Sequence, residues 1–240
     1  MIIKTPAVYD TSHWERIPDF AKLSPRPVLV ITKATEGTAF VDSAFVPYFI
    51  DLRQDGIRRG AYHFFRKAYN SVQQAEHFCN TIGTHVANED ILALDVEEGG
   101  ETAAQLIEWL DAVEKRFPRN LILIYSRKNI LDSIAMTSIQ KTRMKKYHTW
   151  VAGYPFNPDT FNFVPSFYIP DQTKYGTVWL WQYTDRGVPQ GASGDGTDCN
   201  WIAPEFLAWL GASNPQPEPE LTKAKIMLFE NGITRTFEEV

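Results

Sequence analysis

Short apolar runs rich in β-branched and aromatic residues recur along the chain at residues 7–10, 28–33, 59–65, 91–97, 121–126, 149–154 and 178–183, with a weaker eighth at 196–201. Near-continuous hydrophobic runs of this length describe strands buried on both faces. Helix-like patterns lie between several of them, at 42–55, 71–82, 102–117 and 130–146. Strands that alternate with helices form a parallel sheet covered by its own crossovers, and eight of them point to a barrel. Beyond residue 148 the helical patterns thin out and Pro155, Pro158, Pro165 and Pro170 punctuate the connection. The expected fold is therefore α/β, an irregular TIM-like β/α barrel of eight strands that is short of helices in its second half.

Polar residues stand where each run ends: Asp10, Lys33 with Glu36, Tyr62 with His63, Asp95 with Glu97, Tyr125 with Ser126, Tyr154, Gln182 with Tyr183, and Asp198. In β/α barrels the strand ends and the loops after them converge on one mouth, where reacting groups sit. Any one of these residues also fits the plain reading of a strand leaving the core. Their repetition over the seven runs, and in the weaker eighth, favours a functional mouth.

Within 91–97, alternate residues share a face, so Asp95 and Glu97 point the same way with Cα atoms about 6.5 Å apart, while Val96 points away. Two carboxyl groups entering one interior repel each other. Desolvation then raises the proton affinity of one, and hydrogen bonds keep the other ionised. An acid beside an anion is the equipment for cleaving a glycosidic bond. Glu97, longer and nearer the strand end, is the candidate acid. An Asp-Val-Glu run alone fits a strand end paired with Lys or Arg better than it fits chemistry, and it is Asp10 and Asp198 at the same mouth that raise the functional reading. Aromatic platforms suited to a sugar are available among 7 Trp, 10 Tyr and 15 Phe. By alternation Trp179, Trp181 and Tyr183 share one face of their strand and Gln182 takes the other.

Composition limits the partners. Against 29 Asp and Glu there are 24 Lys and Arg, a net charge of −5 that gives no long-range attraction to nucleic acid, anionic membrane or anionic wall polymer. We expect no nucleic-acid and no membrane partner, since no apolar run approaches the roughly 20 residues that span a bilayer. Cys79 and Cys199 fit neither a disulfide framework nor a CxxC site. The five histidines lack paired ligand spacing, so no metal and no cofactor are expected. Lys141, Arg143, Lys145 and Lys146 read as a solvated helix end, and Gly194-Asp195-Gly196 as a turn, not a phosphate loop.

Six segments, in order, resemble the motifs of glycoside hydrolase family 25, the Chalaropsis-type lysozymes of bacteria, fungi and phages. They are Ala7-Val8-Tyr9-Asp10-Thr11-Ser12-His13-Trp14, Ile31-Thr32-Lys33-Ala34-Thr35-Glu36-Gly37, Gly60-Ala61-Tyr62-His63-Phe64-Phe65, Leu94-Asp95-Val96-Glu97, Trp181-Gln182-Tyr183 and Thr197-Asp198-Cys199-Asn200. The resemblance implies a flattened β/α barrel that hydrolyses the β-1,4 bond between N-acetylmuramic acid and N-acetylglucosamine in peptidoglycan. It implies Glu97 as general acid/base, Asp95 as nucleophile or stabiliser of the substrate's 2-acetamido group, and Asp10 and Asp198 as further acids of the site. It implies Lys33, Glu36, Tyr62, Tyr125, Gln182, Tyr183 and Asn200 as substrate-binding residues. A chitin-like glycan as substrate, and a catalytically silent wall-binding or assembly module, are the competing readings.

Domain organisation follows from composition. Residues 1–212 are expected to hold the barrel, 213–222 a proline-rich linker, and 223–240 a hairpin-like tail with two β-prone runs around Asn231-Gly232. A lone hairpin is marginal in water, so the tail needs a partner: the barrel, a second chain or particle, or a truncated wall-binding module. The first residues show no secretory signal pattern. The expectation is synthesis in the cytoplasm, with the wall reached on lysis or as part of a phage-like particle.

Overall fold

The computed structural model describes residues 7–15, 17, 19–154, 176–192, 196–212, 226–230 and 233–237. Its strands and helices follow in the order β1 (Ala7–Thr11), β2 (Pro27–Glu36), β3 (Phe40–Val41), α1 (Phe45–Gln54), β4 (Arg58–Phe64), α2 (Ser71–Ile82), β5 (Ile91–Asp95), α3 (Ala103–Arg116), β6 (Leu121–Arg127), α4 (Lys128–Ser133), α5 (Ser138–Met144), β7 (His148–Ala152), β8 (Val178–Gly187), β9 (Thr197–Ile202), α6 (Pro204–Ala212), β10 (Ile226–Glu230) and β11 (Ile233–Phe237). Eight strands pair in the order β1-β9-β8-β7-β6-β5-β4-β2, and a parallel β1–β2 pairing closes the barrel. The short β3 folds back on β2.

The eighth strand departs from an all-parallel barrel. β9 runs antiparallel to both β1 and β8, because residues 188–196 are too few for the crossover of a dozen or more residues that a parallel connection needs. Asp198 therefore reaches the mouth near the start of its strand, not at the end.

Side-chain alternation divides the core into layers. Val8, Leu29, Ile31, Ile91, Ala93, Leu123, Leu180 and Ile202 fill the barrel. Their neighbours Leu92, Leu94, Ile122 and Ile124 face outward onto Phe78, Leu106, Trp109 and Leu110 of α2 and α3. A third cluster joins Tyr9, Val30 and Cys199 to Phe20, Leu23 and Leu52. Cys79 and Cys199 are buried and unbridged.

Local signals set the helix ends. Thr102 and Gln105 form a capping box that starts α3. Thr137 and Gln140 form a second one, which opens α5 and splits the single helix expected over 130–146 into α4 and α5. His63, on the outer face of β4, is fully buried, with Nδ1 2.7 Å from the Thr35 hydroxyl and Nε2 3.2 Å from Gln74 Oε1. The Gln74 amide donates to the Arg66 and Tyr69 carbonyls, which fixes its oxygen as the acceptor, so the His63 proton sits on Nε2. Burial lowers the His63 pKa to about 3, and the ring is a neutral packing element.

β10 and β11 pair antiparallel, Ile226 opposite Phe237 and Glu230 opposite Ile233, as the Asn231-Gly232 signal leads one to expect. The proline-rich segment 213–222 and the prolines at 155, 158, 165 and 170 lie outside the described residues.

Candidate active site

The inner column of each strand ends in a polar or aromatic group. Ile91 and Ala93 lead to Asp95, Leu29 and Ile31 to Lys33, Leu123 to Tyr125, Leu180 to Gln182, and Val8 to Asp10. These residues enclose a cleft of about 270 Å³ lined by Asp10, Lys33, Tyr62, Asp95, Glu97, Tyr125, Gln182 and Asp198, all expected from the sequence. Ser12, Trp14, Glu15, Phe64 and Trp150 complete the lining. Five carboxyl groups thus face one cation, Lys33, among the described lining residues.

Asp95 is 5% exposed, and its Oδ1 has no hydrogen-bond partner among the described residues. Burial, then the charge of Glu97, raises its pKa well above the ordinary value, partly opposed by Lys33. The hydrogen bonds expected to keep the inner acid ionised are therefore not seen at this oxygen among the described residues. Glu97 lies just past the end of β5, is half-buried, and is engaged in no hydrogen bond or ion pair among the described residues.

Asp10 is held differently. Gln182 Nε2 donates to both Asp10 oxygens at 3.1 and 3.0 Å, and Asn200 Nδ2 donates to Oδ2 at 2.7 Å. Gln182 Oε1 in turn accepts from the hydroxyls of Tyr125 at 2.7 Å and Tyr154 at 2.6 Å. Burial raises the Asp10 pKa to about 6, against the lowering effect of the Asn200 and Gln182 bonds. Asp198, directly opposite Asp10 in the β1–β9 register, is raised well above the ordinary range by burial and then by Asp10. Burial and the surrounding carboxylates also raise the Tyr62 and Tyr125 hydroxyls, which keeps both as proton donors.

The remaining expected residues sit further back. Asn200 lies behind Asp10, its Oδ1 accepting from Trp150 Nε1 at 2.6 Å. Glu36 is outside the lining and pairs with Lys33 at 2.6 Å and with Arg66 at 2.5 Å. Against burial, those two cations hold its carboxyl below the ordinary range. The Lys33 ammonium is also 4.9 Å from the centre of the Phe64 ring. Tyr183 is a correction: it packs outward in the third cluster with Tyr9 and Cys199, because Gln182 has taken the inward phase of β8.

The missed residues carried uneven signals. Phe64 is two positions beyond Tyr62 and so shares its face. Trp14, 77% exposed, belongs to the Asp10-Thr11-Ser12-His13-Trp14 segment. Glu15 is placed by the loop, where it accepts from Ser12 N at 2.6 Å and Ser12 Oγ at 2.8 Å, and no periodicity announces that.

The family described as Glycosyl hydrolases family 25 matches residues 9–192. The uncharacterized protein YegX of Escherichia coli strain K12 is 31% identical over 209 residues, covering 80% of this chain and 70% of its own length. Lysozyme M1 of Streptomyces globisporus is 27% identical over 200 residues, covering 78% of this chain and 64% of its own. Among solved structures, a bacterial lysozyme from Streptomyces coelicolor superposes with a TM-score of 0.68 at 26% identity, covering 88% of this chain and 98% of that one.

Proposed function

Because the chain belongs to glycosyl hydrolase family 25 and is a glycosidase, we propose that it is an N-acetylmuramidase that cleaves peptidoglycan at the β-1,4 bond between N-acetylmuramic acid and N-acetylglucosamine. The observation that carries this reading is the pair at the end of β5. Asp95 and Glu97 line one cleft, the first buried with an unpartnered oxygen and the second free of cations among the described residues.

In this mechanism the Glu97 carboxyl gives its proton to the glycosidic oxygen as the bond to the muramic acid C1 breaks, and N-acetylglucosamine leaves with a free 4-hydroxyl. Positive charge develops at C1. The oxygen of the substrate's own 2-acetamido group captures it, while the acetamido N–H supplies the hydrogen bond that Asp95 lacks and so favours its ionised form. Glu97, now a carboxylate, takes a proton from water as that water attacks C1. The product is a reducing muramic acid of retained configuration. Direct attack by Asp95 on C1 is the competing route. Tyr62, Tyr125, Gln182 and Lys33 are proposed to bind the glycan, with Asn200 behind them and Glu36 holding Lys33 in place.

Purified protein incubated with bacterial walls is expected to release new reducing ends that prove to be muramic acid after borohydride labelling. Reducing N-acetylglucosamine would reject the bond assignment. Faster hydrolysis of chitin than of walls would reject the substrate, and wall binding without reducing ends would reject catalysis. The tail is a separate proposal, a self-association or particle-attachment segment. If the tail self-associates, a chain ending at residue 212 should elute at a smaller assembly size than the full chain, and identical assembly would reject self-association.

A further inference from the structure

Asp10 and Asp198 face each other across the seam that closes the barrel. They are directly opposite in the antiparallel β1–β9 register, where Cβ atoms lie about 5 Å apart, and both line the same cleft. Two carboxyl groups held that close favour sharing one proton over ionising together, and the surrounding donors decide which one carries it. The Trp150 indole can only donate, so Asn200 must turn its oxygen to Trp150 and its NH₂ to Asp10. Gln182 receives two tyrosine hydroxyls on its oxygen and gives its NH₂ to both Asp10 oxygens. Asp10 is thus encircled by N–H groups, which favour its ionised form.

We propose that Asp10 and Asp198 are a positioning pair that holds one proton, seated on Asp198 and directed at an ionised Asp10, and that the cleft works in this one-proton form. The proton removes one negative charge from a cleft that already contains Asp95, Glu97 and Glu15, where Lys33 is engaged with Glu36. The ionisable groups around the pair are Glu15 from the loop after β1, Tyr62, Asp95, Tyr125 and Tyr154 from the cleft walls, and Asp185 from β8, with Cys199 next in sequence. None of them supplies a positive charge that would let both acids ionise. Burial shifts both acids upward, Asp10 to about 6 and Asp198 well above the ordinary carboxylate range. Loss of the last proton would add a charge that further raises the proton affinity of Asp95, to which Asp10 already contributes. The alkaline limb of activity should then belong to this pair.

The link to activity rests on the glycosidase reading, but the proton itself can be detected without substrate. Carboxyl ¹³C NMR of the full chain, with Asp10 and Asp198 assigned, should show Asp198 still protonated at neutral pH and Asp10 ionised. Asp198→Asn, whose amide can donate to Asp10 as the protonated acid does, should remove the Asp198 signal and leave Asp10 ionised. Gln182→Met, which removes two donors, should move the Asp10 transition upward by about one pH unit. A wild-type protein with both aspartates ionised by pH 7, or with the surviving proton on Asp10, overturns the pair. Normalised to each enzyme's own maximum, the alkaline limb of kcat/KM on walls should shift up by about one pH unit or more in Asp198→Asn, and an unmoved limb overturns the functional half. Failure to cleave walls at all would reject the muramidase reading, while the substrate-free titration still decides the pair.

Discussion

Glu97→Gln is expected to lower kcat on isolated bacterial walls by about 100-fold to 10,000-fold while affinity for insoluble peptidoglycan stays within a few-fold. Glutamine matches the size of glutamate but has no proton to give the leaving oxygen and cannot accept one from water. The side chain is half-buried at the cleft and makes no hydrogen bond or ion pair among the described residues, so the exchange breaks no structural contact there. The loss should fall on kcat, because the proton is delivered in the transition state and not on binding. An aryl glycoside with an acidic leaving group needs no proton to depart, so on such a substrate the first step of the variant should recover. The second step still lacks its base, and azide, a nucleophile that needs none, should accelerate it. Wild-type kcat in Glu97→Gln, or an equal loss on substrates with good and poor leaving groups, would remove Glu97 from the role of acid.

Periodicity made much of the site legible before any coordinates, and its phase explains what was misplaced. Ile91, Ala93, Asp95 and Glu97 share one face of a strand, and the same count places Lys33, Tyr62 and Tyr125 inside. Gln182 and Tyr183 cannot both face inward, and applying the phase to every strand end would have excluded Tyr183 from the lining. The break between α4 and α5 was also written in the chain, as Thr137 three residues before Gln140, but the apolar positions Ile130, Leu131 and Ile134 run up to it and read as one helix. Two features were not legible. Glu15 reaches the cleft through a loop held by Ser12, which has no repeat to count. The contact between Asp10 and Asp198 spans nearly the whole chain and exists only because β9 returns antiparallel to close the barrel.

The fold's dependence on one buried ion pair yields the second large effect: Arg59→Met should destabilise the chain by about 3–5 kcal/mol, which for a domain of this size lowers Tm by on the order of 10 °C. Arg59 and Asp90 are 6% and 4% exposed. The guanidinium donates to Asp90 Oδ1 and Oδ2 at 3.0 Å each through Nε and Nη2, to the Phe49 carbonyl at 2.8 Å and to the His85 carbonyl at 3.2 Å, and lies 4.2 Å from the centre of the Phe49 ring. One side chain thereby joins β4, α1 and the loop before β5, at the end of the barrel away from the cleft. Even with this partner, burial keeps the Asp90 pKa above its ordinary value. Methionine fills the volume but leaves a buried carboxylate alone, so the folded-state proton affinity of Asp90 must rise further. An acid whose folded pKa exceeds its unfolded one adds stability below the unfolded value and loses it as pH rises through the folded value. The deficit of Arg59→Met should therefore be greatest at neutral pH and shrink on acidification toward the carboxylate range. Pairing it with Asp90→Leu removes the stranded charge, and the double variant should melt above the single one. Thermal unfolding of the three proteins across pH measures this directly. A single variant within about 1 kcal/mol of wild type at pH 7, or a double variant less stable than the single, would show that the barrel does not rely on this pair.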